Sequence, residues 1–291
     1  MNAFEVKVLI LAGGLGSRLW PISTKKNPKQ FLKIENEFSL LQNTLRRFLL
    51  ITKPINIFIV TSNEYAGIAK MQALEIDTLF ENQIIVEPKK KNTAFAITYA
   101  LHNLKNDNII NHSSSIIVSP IDHVFSSNTL FVNSIKEALN QFDPSYITAF
   151  GIPPSFPNPN FGYVKKERKI SNNLFTSSSF IEKPDINLAL NLIENNYIWN
   201  LGIYLFSYKS IKKYLKSISP TFFKILIGAY KEHDSIPTIS IDFTLISKLE
   251  ELRVFELPSL LWLDIGTLES LSEFTLSKDL FKHSFENSLI S

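Results

Sequence analysis

A glycine-rich loop near the start of the chain has the residue types of a phosphate-binding site. From the end of the preceding apolar segment onward it contains Leu11, Ala12, Gly13, Gly14, Gly16, Ser17 and Arg18. Glycine lets backbone N–H groups approach phosphate oxygens closely, and arginine presents a forked cation to the same charge. The spacing fits neither the G-x-G-x-x-G dinucleotide motif nor the G-x-x-x-x-G-K-S/T P-loop. The loop therefore predicts phosphate binding outside the two standard nucleotide motifs.

A second cation and a carboxylate extend this chemistry. Lys29 follows Pro28, whose ring fixes the backbone, so the segment after the glycines supplies two cations in all. Asp122 follows the apolar segment 115–119. Open α/β sheets bind ligands at the carboxyl ends of their strands, so we expect Asp122 to be exposed at such a crevice.

These blocks together resemble a known family. Leu-Trp-Pro after Arg18, and the block Pro28–Leu32, are similar to the sugar-1-phosphate nucleotidyltransferases, and within them to the guanylyl-transferring branch. The resemblance runs in order from Val8 to about Leu271. It implies attack by a sugar phosphate on the α-phosphorus of a nucleoside triphosphate, with release of pyrophosphate. The implied partners are GTP and mannose 1-phosphate, and the implied cofactor is Mg²⁺.

The resemblance also implies roles for individual residues. The nucleotide-binding residues would be Leu11, Ala12, Gly13, Gly14, Gly16, Ser17, Glu87, Asn92 and Thr93. The catalytic cations would be Arg18, Lys29 and Lys183, and the sugar phosphate would contact Asp122, Gly162, Glu182 and Asn200. Asp122 and Asp264 would hold the metal, since Mg²⁺ is usually bound by one or two carboxylates together with substrate phosphates. Asn92 and Thr93 can also cap a helix, whereas Trp20 and Trp262 are interpreted as packing residues.

The elements that must position these residues follow from hydrophobic periodicity. Short β-rich segments alternate with segments of helical period, which predicts an α/β class: a Rossmann-like, mixed and mostly parallel sheet flanked by helices. The predicted strands are 6–11, 56–61, 83–86, 115–119, 146–150, 163–166, 179–182, 202–206 and 253–257. The predicted helices are 39–50, 64–74, 93–103, 129–141, 186–195, 210–216 and 243–249.

The larger organisation is predicted to be one nucleotidyltransferase domain over 1–270 with a helix and tail over 271–291. Four prolines between 153 and 159 predict a rigid loop, after which the sheet should become partly antiparallel. Bacterial guanylyltransferases of the resembled type usually continue into a β-helical region or an isomerase domain. Isomerase activity is therefore not expected of these 291 residues.

Composition excludes several other classes of protein. The chain contains no cysteine, which removes disulfides, thiolate metal sites and cysteine nucleophiles. Its 30 Lys and Arg against 27 Asp and Glu give a net charge of only +3, with no dense basic run, so nucleic acid is not an expected partner. No apolar segment is long enough to cross a membrane, and 6–12 lacks the features of a signal peptide. We expect a cytoplasmic enzyme that can form a homodimer.

Three alternatives stay open at this stage. The first is a nucleotidyltransferase for another base or sugar, such as dTTP or UTP with glucose 1-phosphate, or a heptose 1-phosphate. Lys91 and Phe95 replace the usual Arg and Pro of the guanylyl pattern, and Thr267 and Leu268 replace its Ser and Trp. The second is a glycosyltransferase, disfavoured because the chain lacks Asp-x-Asp. The third is a binding-only homologue, disfavoured because Arg18, Lys29, Asp122 and Asp264 are all present.

Overall fold

A computed structural model describes residues 4–14, 16–231, 235–277 and 279. The chain folds into two compact units, each built from discontinuous segments. Unit 1 comprises Met1–Pro88, Pro120–Glu137 and Leu260–Ser291, and unit 2 comprises Lys89–Ser119 and Ala138–Ser259. The predicted domain limits at residue 270 stay a prediction. Within the predicted tail, residues 278 and 280–291 lie outside the described residues.

Unit 1 is built on three parallel strands. They are β1 (Lys7–Leu11), β2 (Ile57–Ser62) and β3 (Ile84–Glu87), with β2 between the other two. The unit adds the helices α1 (Leu40–Leu49), α2 (Ala66–Leu74), α9 (Leu268–Leu276) and most of α4 (Asn128–Asn140). The short strands β5 (His123–Phe125) and β12 (Trp262–Asp264) pair antiparallel. Because β1 to β3 are parallel, their carboxyl ends lie at one edge.

Unit 2 is built around the long strand β10 (Tyr197–Ser207), which runs antiparallel to β4, β6 and β7. Strand β11 is parallel to β6 and antiparallel to β8, and β7 pairs with β9. The remaining strands are β4 (Ser115–Pro120), β6 (Ile147–Ile152), β7 (Gly162–Lys165), β8 (Leu174–Ser177), β9 (Phe180–Glu182) and β11 (Leu252–Glu256). The helices are α3 (Asn92–Asn106), α5 (Ile186–Glu194), α6 (Tyr208–Ile218), α7 (Pro220–Leu226) and α8 (Ile241–Thr244).

Several helices begin where the sequence supplies a side-chain cap. Ser39, Ser207 and Thr267 each accept the backbone N–H three residues later, and each forms a reciprocal capping box. Asp185 caps α5 in the same way by accepting the N–H of Leu188. These bonds satisfy N–H groups that the first helical turn cannot pair internally, so they fix where the helices start.

The predicted fold class is confirmed, because both units combine sheet and helix and unit 2 contains the partly antiparallel region. The proline-rich segment 153–159 is irregular, as predicted. The elements β5, β8, β12 and α7 were not predicted. Residues 243–249 were predicted as one helix, but α8 ends at Thr244 and a single 3-10 turn follows at Ile246–Lys248. Among the described residues, no helix is both long and apolar enough to cross a membrane.

Candidate active site

The glycine-rich loop starts at the carboxyl end of β1, where its first peptide is held from two sides. The carbonyl oxygen of Ala12 accepts hydrogen bonds from Gln30 Nε2 and from Thr61 Oγ1, both at 3.0 Å. The N–H of Ala12 donates to the carbonyl oxygen of Val60 at 2.8 Å. Gln30 and Thr61 are buried, so the bonds are shielded from water. The loop therefore leaves β1 in a fixed direction.

Two glycines of this loop allow close approaches that a larger residue would block. A Cβ atom on Gly13 would collide with the carboxylate of Glu87, which ends β3 and is buried. Gly16 has the left-handed φ of 64°, and a Cβ there would lie 2.8 Å from Lys29 Cβ. The left-handed conformation and the short distance both favour glycine. Ser17 and Arg18, which begin the next 3-10 turn, are exposed.

Arg18, Lys29, Asp122 and Asp264 form one group in unit 1, here named the charged cluster. Lys29 Nζ forms an ion pair with Asp122 Oδ2, and the two side chains are only 12% and 15% exposed. The charges of Lys29 and Arg18 both act on Asp264. A Cβ on Gly266 would lie 3.2 Å from Asp264 Oδ1 and 3.3 Å from Arg18 Nη2. The structure thus brings together two cations and two carboxylates from four separate parts of the sequence.

The two carboxylates of the charged cluster are in different electrostatic states. Burial opposes the charged form of Asp122, but Lys29 and His123 outweigh burial and lower the pKa of Asp122. Burial and the neighbouring charge of Asp122 raise the pKa of Asp264 to about 7. Burial also opposes the charge on Lys29, yet Asp122 and Asp264 raise its pKa. Two close carboxylates cannot both ionise easily without an additional cation.

The same two carboxylates fit the predicted magnesium site. Asp264 Oδ1 is buried and has no hydrogen-bond partner among the described residues. An unpaired buried oxygen is costly, and a cation would satisfy it. No group of three or more His, Cys, Asp and Glu side chains within the described residues could hold a metal. Two carboxylates suit Mg²⁺, because this ion takes its remaining ligands from water and substrate phosphates.

Helix α1 fixes the segment that carries Asp122. Thr44 Oγ1 shares its one proton between the carbonyl oxygens of Leu40 at 2.9 Å and Ile121 at 3.2 Å. Arg47 Nη2 donates to the carbonyl oxygen of His123 at 3.2 Å. Arg47 Nε also donates to Asn128 Oδ1 at 2.6 Å. The backbone is therefore anchored on both sides of Asp122. Sequence patterns did not identify Arg47, because a buried arginine on an amphipathic helix leaves no local signal.

In unit 2, three predicted sugar-site residues lie side by side across adjacent strands. Gly162 in β7 is opposite Glu182 in β9 on one side and Asn200 in β10 on the other. A Cβ on Gly162 would lie 2.6 Å from Glu182 Oε2, so the carboxylate lies directly over the glycine. Burial and the nearby Asp242 raise the pKa of Glu182. The structure places the three residues side by side in unit 2, and their role in sugar-phosphate binding stays a prediction.

Tyr204 and Asp242 adjoin this row and were missed by the sequence analysis. Asn200 Nδ2 donates to Tyr204 Oη at 2.8 Å and more weakly to Asp242 Oδ1 at 3.3 Å. The Tyr204 hydroxyl donates to Asp242 Oδ1. We name Glu182, Asn200, Tyr204 and Asp242 the polar cluster. The only signal in the sequence was Gly202 inside a strand, which is typical of a bulge.

The other predicted residues of unit 2 flank the polar cluster. Lys183 has a left-handed φ of 49°. Its side chain is 55% exposed, and its Nζ atom lies 3.2 Å from Glu182 Oε1. Asn92 is the first residue of α3, so its predicted N-cap position is wrong by one: Lys91 occupies the cap. Asn92 Oδ1 nevertheless accepts the N–H of Thr93 at 2.7 Å. Thr93 Oγ1 accepts the N–H of Ile241 at 2.9 Å, next to Asp242.

Two further expectations are corrected by the structure. Asp122 was expected to be exposed, but the ion pair with Lys29 leaves its side chain largely buried. Trp20 was interpreted as a packing residue, yet it is 70% exposed, whereas Trp262 is buried as predicted. A tryptophan in a loop is not tied to a hydrophobic face by periodicity, so its burial could not be predicted from the pattern.

Comparison with known proteins assigns the family. Residues 7–279 match the family model described as nucleotidyl transferase, so the chain belongs to this family. A curated mannose-1-phosphate guanylyltransferase of Salmonella typhimurium strain LT2 is 30% identical over 97% of this chain and 63% of its own length. Another of Escherichia coli is 32% identical over 97% of this chain and 66% of its own length. The chain thus spans less than two thirds of these relatives.

The solved structures agree on the fold. One titled mannose-1-phosphate geranyltransferase, from Thermus thermophilus, superposes with a TM-score of 0.80 at 24% identity. The match covers 90% of this chain and 77% of that one. At this identity the likeness concerns the fold, and it confirms the predicted nucleotidyltransferase architecture. The resemblance inferred from the glycine loop and from Lys29 is also confirmed at the level of the family.

Proposed function

We propose that this chain transfers a guanylyl group from GTP to mannose 1-phosphate, producing GDP-mannose and pyrophosphate. The observation that carries the proposal is the charged cluster, in which two cations and two carboxylates converge beside a glycine-rich loop. The names of the relatives at 30 and 32% identity support the choice of GTP and mannose 1-phosphate. A homologue that only bound a nucleotide sugar would not require this arrangement.

The proposed reaction is a displacement at phosphorus. An oxygen of the sugar phosphate attacks the α-phosphorus of GTP, a new P–O bond forms, and the bond to the β-phosphate breaks as pyrophosphate leaves with its electrons. The nucleophile is already ionised near neutral pH, so the protein must align two polyanions and stabilise the developing charge. Backbone N–H groups and cations suit this task better than a general base does.

The residues predicted from the sequence have proposed parts in this reaction. The nucleotide-binding residues would be Leu11, Ala12, Gly13, Gly14, Gly16, Ser17, Glu87, Asn92 and Thr93. Arg18 would bind the leaving phosphates, and Lys29 would bind the triphosphate. Asp122 and Asp264 would hold Mg²⁺, which when bound neutralises phosphate charge. In unit 2, Lys183 would bind the phosphate of the sugar. Glu182 and Asn200 would accept hydrogen bonds from its hydroxyl groups. A homodimer and a cytoplasmic location stay predictions.

The test is pyrophosphate release measured with Mg²⁺ over a grid of substrates. GTP, dTTP, UTP and ATP are each paired with mannose 1-phosphate and with glucose 1-phosphate. We expect one dominant signal, from GTP with mannose 1-phosphate. A dominant signal from another pair would overturn the named substrates and keep the reaction, whereas silence in all eight combinations would overturn the proposal. Arg18→Ala protein with full turnover would contradict the role of the charged cluster.

A further inference from the structure

The polar cluster depends on an irregularity in β10. Side chains four residues apart in a regular strand are separated by about 13 Å, because each residue rises about 3.3 Å. Asn200 and Tyr204 are four residues apart in β10, yet Asn200 Nδ2 lies 2.8 Å from Tyr204 Oη. The register of β10 against β6 shifts between these two residues, and Gly202 between them has a left-handed φ of 64°. The bulge therefore brings the two side chains into contact.

The hydrogen bonds of the polar cluster fix which way the amide of Asn200 points. The Tyr204 hydroxyl has one proton, and it donates this proton to the Asp242 carboxylate. The oxygen of Tyr204 must then accept, and only the amide nitrogen of Asn200 can donate to it. Burial and the charge of Asp242 raise the pKa of Tyr204 well above its usual range, so the phenol keeps its proton. The carbonyl oxygen of Asn200 is consequently directed away from Tyr204.

The carbonyl oxygen of Asn200 is left as an acceptor. Asn200 is 8% exposed, and its Oδ1 atom is buried with no hydrogen-bond partner among the described residues. The carboxylate of Glu182, one strand beyond Gly162, is a second acceptor. Both acceptors flank a residue without a side chain. A ligand bound here must therefore supply donors, as the hydroxyl groups of a sugar ring do.

We propose that Tyr204 and Asp242 are positioning residues, which orient the amide of Asn200 so that its carbonyl oxygen accepts a hydrogen bond from a sugar hydroxyl group. This inference rests on the proposed function and specifies how the sugar is recognised. Tyr204 is 1% exposed and uses both hydrogen-bonding positions within the cluster, so it acts through Asn200 and does not touch the sugar. Asp242 is held in turn, because Thr93 Oγ1 accepts the N–H of the preceding residue.

The first experiment compares Tyr204→Phe with wild type in the full chain. We expect the KM for mannose 1-phosphate to rise about tenfold, while the KM for GTP and kcat change less than about twofold, since one orienting bond is lost. Tyr208→Phe is the matched control: this buried tyrosine donates to the carbonyl oxygen of Leu226 at 3.4 Å, away from the polar cluster. An equal rise in both KM values would overturn the inference.

A double-mutant cycle separates positioning from a structural role. If Tyr204 acts through the amide, Tyr204→Phe should have no further effect on sugar affinity in an Asn200→Ala background. Additive losses would overturn the inference. Asp242→Ala should weaken binding of the sugar phosphate as Tyr204→Phe does. Asp242→Asn should keep most of the affinity, because the amide oxygen can still accept a hydrogen bond from Tyr204. Thermal unfolding of each variant checks that it is folded.

Titration calorimetry distinguishes failure of this inference from failure of the proposed function. If the enzyme turns over and Tyr204→Phe leaves the KM for the sugar phosphate unchanged, this inference is overturned and the proposed function is kept. Without turnover, binding of mannose 1-phosphate or glucose 1-phosphate that weakens about tenfold in Tyr204→Phe would support the inference and overturn the proposed function. Binding that does not change in Tyr204→Phe, or the lack of any binding by either sugar phosphate, would overturn the inference as well.

Discussion

The two clusters handle polar groups in different ways. The charged cluster of unit 1 holds formal charges close together in a largely buried setting, where Lys29 balances Asp122 and Asp264 retains an unpaired oxygen. The polar cluster of unit 2 holds two carboxylates, those of Glu182 and Asp242. Its Tyr204 hydroxyl, bonded to Asp242, orients the amide of Asn200. The first arrangement suits neutralisation of phosphate charge, and the second suits recognition of hydroxyl groups by direction.

This difference has an energetic consequence. Buried charges are costly unless they are paired, so changes in the charged cluster should alter both stability and turnover. Hydrogen bonds contribute about 1 kcal/mol each between neutral groups and about 1.5 to 3 kcal/mol each to a carboxylate such as Asp242, so changes in the polar cluster should alter affinity by smaller factors. Substitutions with matched controls can test whether the two clusters differ in this way.

The largest effect is expected from Asp264→Asn. Turnover with Mg²⁺ should fall by roughly a hundredfold to a thousandfold, the range for loss of one preorganised electrostatic group. The melting temperature should not fall, because burial raises the pKa of Asp264 and its ionised form therefore destabilises the folded state. Asp185→Asn is the control, since asparagine caps α5 as well as aspartate does. Near-normal turnover by Asp264→Asn would remove this residue from the site.

The next effect concerns the ion pair itself. Lys29→Met should lower the free energy of unfolding by about 3 kcal/mol, because it leaves a buried carboxylate without its partner. Lys70→Met removes the partner of Glu81 in an exposed pair, where the loss should stay below about 1 kcal/mol. Urea unfolding at one pH measures both. Equal losses in the two variants would show that burial does not distinguish the charged cluster.

A buried carboxylate outside the charged cluster allows a pH test. Burial raises the pKa of Glu35 to about 7, and this effect outweighs Arg47, Asn43 and Arg46, which lower it. A carboxyl group whose pKa is raised in the folded state lowers the free energy of unfolding, and the full effect is present above the folded-state pKa. The effect disappears as the pH falls from the folded-state pKa to the ordinary pKa of the unfolded chain. The free energy of unfolding of Glu35→Gln should therefore exceed that of wild type by about 2 kcal/mol at pH 8 and by less than about 1 kcal/mol at pH 5.

Urea unfolding of both proteins at the two pH values measures this difference. Glu37→Gln is the control, since Glu37 is exposed and its substitution should change stability by less than about 0.5 kcal/mol. A gain for Glu35→Gln that is equal at pH 5 and pH 8 would contradict the argument. Turnover should be retained, which separates this buried charge from those of the charged cluster.

The smallest effect is expected from Gly162→Ala. The added Cβ would lie 2.6 Å from Glu182 Oε2 and 2.9 Å from Phe180 Cζ, so it should displace the carboxylate. The KM for mannose 1-phosphate should rise by about tenfold, with a smaller change in the KM for GTP. Gly67→Ala is the control: its Cβ meets no atom within 4 Å, and alanine should stabilise α2 by about 0.5 to 1 kcal/mol. Steady-state kinetics that leave the sugar KM unchanged would contradict this prediction.

Local patterns predicted the parts of the site that are close in sequence. The glycine loop, Lys29 and the predicted strands could be read because spacing and periodicity act over a few residues. The association of Asp122 with Asp264 came only from the family resemblance, since it depends on two three-residue strands, β5 and β12, too short to show a pattern. Tyr204 and Asp242 were missed because the bulge at Gly202 and the packing of α8 are tertiary features.

The pairing of β5 with β12 has a consequence for synthesis of the protein. Asp264 lies opposite His123 in this ladder, although well over a hundred residues separate them in the chain. A chain emerging from the ribosome therefore carries its glycine loop, Lys29 and Asp122 long before the second carboxylate exists. Until residue 264 emerges, Lys29 has only one of its two carboxylate neighbours. The proposed metal site between the two carboxylates could therefore form only after residue 264 has been synthesised.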